Sequence, residues 1–315
     1  MKRLAEDGNK VHALVYGNKT HPFLKGMKIK KFSGDVTDKD SLRDAMEGCS
    51  QVYNVAGMVS YLKKDFKKMM DVHVRGTKNV MEVASELGVK KMVQTSSCAA
   101  IGLPESPEKP QDEKTKWDKK YDKVGYMHTK KLAEDEIKKF RGNGMKIVMV
   151  NPTSFFGQGD INMNEGELVR NIKNGVLKFA TPGGNSVVSV DDTVEGHLLA
   201  MSKGRDRERY ILSNEFMPFI EIFNIIADEL GKKKIDYVLP KSSFYLAYGA
   251  SCMAEKTCSF FGIKNKLSPH IVNFSFKYRY YKSDKARSEL GWLPGQSFRE
   301  SIKKAINFYE ENGLI

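Results

Sequence analysis

The feature that most constrains this chain is a regular exchange of short apolar runs with helical stretches through its first half. Strands are expected at residues 11–15, 27–32, 51–55, 92–97 and 145–150, and helices at 41–46, 67–87 and from Tyr126 onward. Asp38 or Asp40 is placed to cap the first of these helices, and Gly88 stops the second. Residues 145–150 read Met-Lys-Ile-Val-Met-Val with no strict alternation, which suits a strand covered on both faces. Strand, helix and strand at this rhythm imply an α/β fold with a Rossmann-like, doubly wound parallel sheet. Ligands of such sheets sit at the carboxyl ends of the strands.

After Pro152 the rhythm breaks. Irregular segments around residues 155–159 give way to a helix at 167–174, an apolar run at 187–190, a helix at 193–202, a strand at 210–212 and a helix at 220–230. A last helix, 298–311, carries an apolar face at Ile302, Ala305, Ile306 and Tyr309. Residues 1–152 therefore read as a dinucleotide-binding domain, and residues 153–315 mostly as a smaller substrate-binding lobe, with some segments returning to the first sheet. The stretch 244–263 is the most aromatic, with Phe244, Tyr245, Leu246, Tyr248, Met253, Phe260 and Phe261. It is either a helix packed on the lobe or an interfacial helix that touches a membrane or an apolar substrate.

Composition narrows the function. The 315 residues carry 52 Lys and Arg against 39 Asp and Glu, a net charge of +13. The lysines are scattered, as at Lys63-Lys64, Lys90-Lys91 and Lys232-Lys233-Lys234, rather than gathered with aromatics on one element, which argues against a nucleic-acid binder. The same field would attract anionic substrates or cofactors. No run of about 20 uncharged apolar residues offers a membrane span. Cys49, Cys98, Cys252 and Cys258 lack zinc-site spacing and read as reduced thiols of a cytoplasmic protein, and no metal site is expected.

The chemistry concentrates between Thr95 and Lys130. Tyr126 and Lys130 stand four residues apart, on one helix face. An ammonium beside a phenol is expected to lower its pKa below about 10 and make it a proton donor and acceptor near neutrality. Ser97, at the end of a buried strand, is placed to hydrogen-bond a substrate oxygen.

These residues fall within an ordered series: Gly34-Asp35-Val36, Val55-Ala56-Gly57, Gly76-Thr77-Lys78-Asn79-Val80, Thr95-Ser96-Ser97, Tyr126-x-x-x-Lys130, Asn151-Pro152, Asp191-Asp192, Gly196-His197, and Lys285-Ala286 with Glu289-Leu290-Gly291-Trp292. A lone Tyr-x-x-x-Lys arises often by chance. The whole series resembles the extended short-chain dehydrogenase/reductase superfamily, in its branch of NAD-dependent epimerases, dihydroflavonol-reductase-like and 3β-hydroxysteroid-dehydrogenase-like proteins. The resemblance implies an NAD(P)-dependent oxidoreductase or epimerase acting on a carbonyl or secondary alcohol. Tyr126 would be its general acid and base, Lys130 its ribose anchor and pKa tuner, and Ser97 its substrate hydrogen-bonder. It further implies that Asp35 and Val36 contact adenine, that Val55, Ala56, Gly57 and Thr95 line the cofactor, and that Asn151, Pro152 and Thr153 lie near the nicotinamide. Relatives dimerise through the helices that are here 67–87 and 126–140, so a homodimer is expected.

Three departures qualify the resemblance. The family opens with a strand and a Gly-x-x-Gly-x-x-Gly turn, yet no two glycines here are three residues apart. The chain reads as starting inside the helix after that turn, which implies a truncated version of a longer protein or, less favoured, a non-catalytic binding or scaffold relative with an impaired cofactor site. His73 stands where an asparagine is usual, and is expected to be a satisfied structural histidine. Tyr16-Gly17 replaces the acidic residue that selects NAD, and Lys19 nearby tilts the expectation towards NADP. Apart from these three, Arg279 lacks the Gly-Asp that accompanies the arginine of sugar-nucleotide enzymes, which favours a less polar, flavonol-, aldehyde- or sterol-like substrate.

Overall fold

A computed structural model describes residues 1–17, 24, 26–260 and 268–315, with the backbone alone at 259–260. Lys19, Phe261 and the side chain of Phe260 lie outside the described residues. The elements run α1 (Lys2–Glu6), β1 (Val11–Val15), β2 (Ile29–Ser33), α2 (Lys39–Met46), β3 (Gln51–Asn54), α3 (Phe66–Met69), α4 (Gly76–Glu86), β4 (Lys91–Thr95), α5 (Gly125–Lys139) and β5 (Lys146–Pro152). The chain continues through β6 (Ser154–Phe156), α6 (Gly166–Lys173), β7 (Gly184–Ser189), α7 (Val190–Lys203), β8 (Arg209–Leu212), β9 (Glu215–Pro218), α8 (Phe219–Glu229), α9 (Ser243–Phe260), α10 (Pro269–Ser275), β10 (Tyr278–Arg279) and α11 (Phe298–Glu311).

The parallel α/β core is present, in two pieces. β3, β4, β5 and β8 form one parallel sheet in that order, and β1 pairs with β2 in a separate parallel pair. Among the described residues no strand bonds the outer edge of β3 or the free edge of β1. The two pieces are joined through α2: His12 of β1 shares a ring-nitrogen hydrogen bond of 2.9 Å with the Ala45 carbonyl, and Leu14 packs with Leu42 and Met46. Asp38 caps α2 by accepting from the Asp40 amide at 3.0 Å.

Coverage on both faces explains the unbroken apolar runs. Ile147 and Met149 of β5 face α4 and α5, where they meet Val80, Val83, Ala84 and Ile137. Val148 and Val150 point to the other face, against Ala200 and Met201 of α7 and the buried Trp292. The two-residue period of a strand thus supplies two hydrophobic layers from one sequence run.

Several sequence landmarks turn out to be contacts. Trp292 donates its indole N–H to the Asp192 carbonyl at 2.9 Å, and the Asp192 carboxylate accepts from the Gly295 and Gln296 amides and from the Ser189 hydroxyl. At Gly196 a Cβ would stand 2.3 Å from Leu212 Cδ1, so α7 packs on β8 only without a side chain there.

The second half is more regular than its sequence suggests. β10, β7 and β6 form a second sheet, in which β6 and β10 run parallel to β7 and β9 runs antiparallel to it. Residues 155–156, read as irregular, belong to β6; strands of two to four residues are too short to show a period. α6, α8 and α11 cover this sheet around Phe156, Val187 and Met217. The helix expected at 193–202 begins earlier, at Val190, because Ser189 caps it by accepting from the Asp192 amide at 2.8 Å.

One buried charge pair ties the first sheet to α5. Glu134 accepts from Ser96 Oγ and Asn151 Nδ2, each at 2.6 Å, and pairs with Arg209 Nη1 at 3.3 Å, with Glu134 out of water and Arg209 nearly so. Removing one partner of such a pair strands the other. Glu134→Ala is expected to lower the unfolding free energy by about 3–5 kcal/mol, read by urea titration; a loss below about 1 kcal/mol, the usual limit for a surface ion pair, would contradict this reading.

Candidate active site

The residues singled out in the sequence gather at the carboxyl ends of parallel strands. Asp35 and Val36 follow β2, Val55–Gly57 follow β3, Thr95–Ser97 close β4, and Asn151–Thr153 end β5. The β2 end is held to the rest by Asn79, which donates to the Val36 carbonyl at 3.0 Å, and by Val36 itself, which packs where a Cβ on Gly76 would be.

Tyr126 and Lys130 lie on the first turns of α5, and both are buried. The ammonium of Lys130 donates to the Thr95 carbonyl at 3.3 Å. Burial pulls its pKa down to about 8, against an upward pull from Glu134 one turn later. A Cβ placed on Gly57 would lie 3.3 Å from Lys130 Nζ and 3.7 Å from His73 Nε2, so a side chain there would crowd the ammonium. Val55 nearby is 66% exposed despite being apolar.

The expected lowering of the Tyr126 pKa does not occur in this arrangement. Burial pushes the phenol well above its ordinary value, the neighbouring Tyr61 adds to the rise, and only a hydrogen bond with the Ser97 side chain opposes it. Lys130 points to the Thr95 carbonyl rather than neutralising a phenolate, and desolvation of the ring wins. The free protein therefore presents a neutral phenol beside the Ser97 hydroxyl.

Other expectations are redrawn by the contacts. Asn151 is fully buried; it donates to Glu134 and to the Ser97 carbonyl at 2.9 Å, so its side chain braces the serine rather than lining the cleft. Thr153 bonds the Leu212 carbonyl through both its amide and its hydroxyl, at 3.1 and 3.2 Å, and Pro152 is buried within β5. The Thr95 hydroxyl bonds His197 Nε2 at 2.9 Å, while His197 Nδ1 donates to the Thr193 carbonyl. Landmarks read as cofactor contacts thus also hold the floor of the site together.

His73 sits in a wide π turn, Met70–Arg75, that interrupts what was expected to be one helix over 67–87. Its Nε2 accepts from the Met58 amide at 3.1 Å, which leaves Nδ1 as the donor to Thr129 Oγ1 at 2.9 Å; that hydroxyl then donates to the Tyr126 carbonyl. Burial, with the Lys130 charge behind it, lowers its pKa to about 3. The histidine is neutral at working pH, and a positive charge there would repel Lys130.

Tyr61, Phe274 and Glu165, near Tyr126, were not singled out in the sequence, and Arg279 was noted there only for its missing Gly-Asp. Tyr61 lies edge-on to Tyr126 with ring centroids 5.8 Å apart, and Phe274 lies edge-on to Tyr61 at 5.2 Å. The Glu165 carboxyl, raised by burial and lowered by Arg279, acts on both tyrosines electrostatically. The Arg279 guanidinium lies over Phe219 and Phe274, and its Nε is buried with no hydrogen-bond partner among the described residues. A cavity of 320 Å³ lies against Tyr61, Phe66, Gly125 and His270, at the amino end of α5. These positions come from separated segments, and no local spacing marks them.

Residues 1–213 match the model of the NAD dependent epimerase/dehydratase family. The chain is 27% identical over its whole length to sterol demethylase protein B of Methylococcus capsulatus, covering 95% of it, and 27% identical to a putative dihydroflavonol 4-reductase of Synechocystis, covering 92%. It is 24% identical to a decarboxylating sterol-4-alpha-carboxylate 3-dehydrogenase of Mus musculus, over 92% of this chain and 82% of that one. Among solved structures, gox2253 superposes with a TM-score of 0.84 at 29% identity, over 99% of this chain and 94% of that one. A nucleoside-diphosphate-sugar epimerase of Pseudomonas aeruginosa shares the fold at a TM-score of 0.77, 19% identity and coverage of 100% of this chain and 94% of that one.

The neutral histidine makes a testable statement. An unfolded His73 takes up a proton as pH falls through 6.5, whereas the folded one resists until about 3. The stability it supports is therefore present above pH 6.5 and lost as pH falls towards 3. His73→Asn should lose about 2 kcal/mol less than the parent between pH 7 and 4.5, measured by urea unfolding at each pH; parallel losses would contradict a neutral buried imidazole.

Proposed function

The chain belongs to the NAD dependent epimerase/dehydratase family, and from that premise we propose that it interconverts a secondary alcohol and a carbonyl on a largely apolar substrate, with Tyr126, Ser97 and Lys130 as its working groups. It is an enzyme of a nicotinamide-dependent family, so a scaffold role need not be invoked. The observation that carries the reading is the buried ammonium of Lys130 against the bare backbone of Gly57, one helical turn from a buried phenol that meets a serine hydroxyl.

The residues fit a dinucleotide. Lys130 would hold ribose hydroxyls, Val55–Gly57 would lie along the cofactor, and Asp35 and Val36 would meet the adenine end. When bound, the nicotinamide supplies the hydride acceptor or donor. Ser97 orients the substrate oxygen, and Tyr126 exchanges the proton with it. Because the phenol is neutral in the free protein, it is ready to give its proton to a carbonyl oxygen. In the opposite direction it must first lose that proton, which the charge of Lys130 favours once the site is filled.

The aromatic neighbours Tyr61 and Phe274 support an apolar substrate, as do the sterol and dihydroflavonol relatives. Acceptance of NADP is part of the same proposal. Tyr16, at the end of β1 and 69% exposed, offers no carboxylate to repel a ribose phosphate.

Tyr126→Phe is expected to reduce kcat about 10²- to 10⁴-fold against a panel of 3-hydroxysteroids and dihydroflavonols, while NADH and NADPH affinity by fluorescence titration stays unchanged. A variant with undiminished turnover would remove Tyr126 from the reaction. Failure of the parent protein to bind either nucleotide would overturn the site itself.

A further inference from the structure

We propose that α9 is a docking surface for an anionic lipid bilayer, lying in the interface with its outer face among the headgroups. Residues 242–254, Ser-Ser-Phe-Tyr-Leu-Ala-Tyr-Gly-Ala-Ser-Cys-Met-Ala, contain no charge over 13 positions in a chain that is 29% charged. Such a stretch is ordinarily a core helix. Here only part of it packs inward: Ser251 is fully buried, and Phe244 meets Phe276 with ring centroids 5.5 Å apart. The outer face holds Tyr245 and Leu246, each 80% exposed, and Met253, 70% exposed two turns on. Gly249 and Ala250 between them are exposed as well. By contrast, α2 and α11 turn charged residues such as Arg43, Lys303 and Glu310 to water.

A contiguous exposed apolar stripe marks a contact surface, and the surrounding charge selects its occupant. Lys241 precedes the uncharged segment and Glu255-Lys256 follows it; both lysines are exposed, and Glu255 is half-buried. Lys232, Lys233 and Lys234 precede it on the same connection and are exposed too. Apolar and aromatic side chains bounded by lysines match the boundary between acyl chains and anionic headgroups, where tyrosine rings also settle. No helix among the described residues is long and apolar enough to cross a membrane, so the contact is peripheral.

The helix also leads towards the chemistry. α9 packs on α10, whose Phe274 meets Tyr61, and Tyr61 meets Tyr126. A bilayer under α9 would lie one helix from the catalytic phenol, close to where an apolar substrate would leave the lipid. Bilayer docking stands without the proposed reaction, because its test reads binding alone.

The full-length protein is mixed with vesicles of phosphatidylcholine alone, or with about one third phosphatidylglycerol to supply the anionic surface, and floated on a density gradient. It is expected to float with the anionic vesicles, weakly with the neutral ones, and less as salt rises. Replacing both flanking lysines, K241Q with K256Q, should reduce partition about 30-fold. Leu246→Ser with Met253→Ser should abolish it with an unchanged Tm, since both side chains are exposed. Absence of flotation, or flotation indifferent to both pairs of substitutions, would overturn the proposal. So would lipid-free sedimentation in which the parent is dimeric and the serine variant monomeric, because the face would then belong to a second copy.

Discussion

The buried ammonium of Lys130 sets the terms for the residues around it. A cation out of water, hydrogen-bonded to the Thr95 carbonyl, is costly unless its surroundings are arranged for it. Glu134, one turn along α5, supplies the opposing charge from below and is itself fixed by Ser96, Asn151 and Arg209. His73 is held neutral by burial and by the Lys130 charge itself, so it adds no second positive charge. Gly57 has no side chain to cover the ammonium. Each feature is ordinary alone, and together they keep a cation available at the mouth of a parallel sheet.

The same burial decides the state of Tyr126. A lysine four residues away suggests an acidified phenol, but desolvation is the larger effect and the ring is held neutral, with Ser97 as its polar neighbour. Proximity in sequence placed both groups on one helix face without determining where the ammonium points. Its direction is set by the carbonyl at the end of β4, a tertiary feature.

Much of the first half was legible because its physics is local. Strand runs such as 145–150 carry their burial on both faces within the sequence itself, and α2 announces its start at Asp38. The ordered landmarks were legible as a pattern, although their reasons were not: Asp192 and Trp292 are a hydrogen-bonded pair 100 residues apart, and Gly196 is small because Leu212 lies against it. The second sheet escaped notice because its strands are short and paired across long separations, β7 with β10 above all. For the same reason Tyr61, Phe274 and Glu165 could be assigned to the site only after folding. Glu134 is the exception, since its i, i+4 relation to Lys130 was available in the sequence.

The most direct test of this account is the titration of Lys130 itself. With ¹³C-labelled lysine and Lys130→Met to assign the signal, its side-chain resonance in the free protein should move with a midpoint of about 8, and adding NAD⁺ or NADP⁺ should displace it. A midpoint near the 10.5 of an ordinary lysine, or a signal indifferent to both nucleotides, would contradict the claim that this buried cation anchors the cofactor.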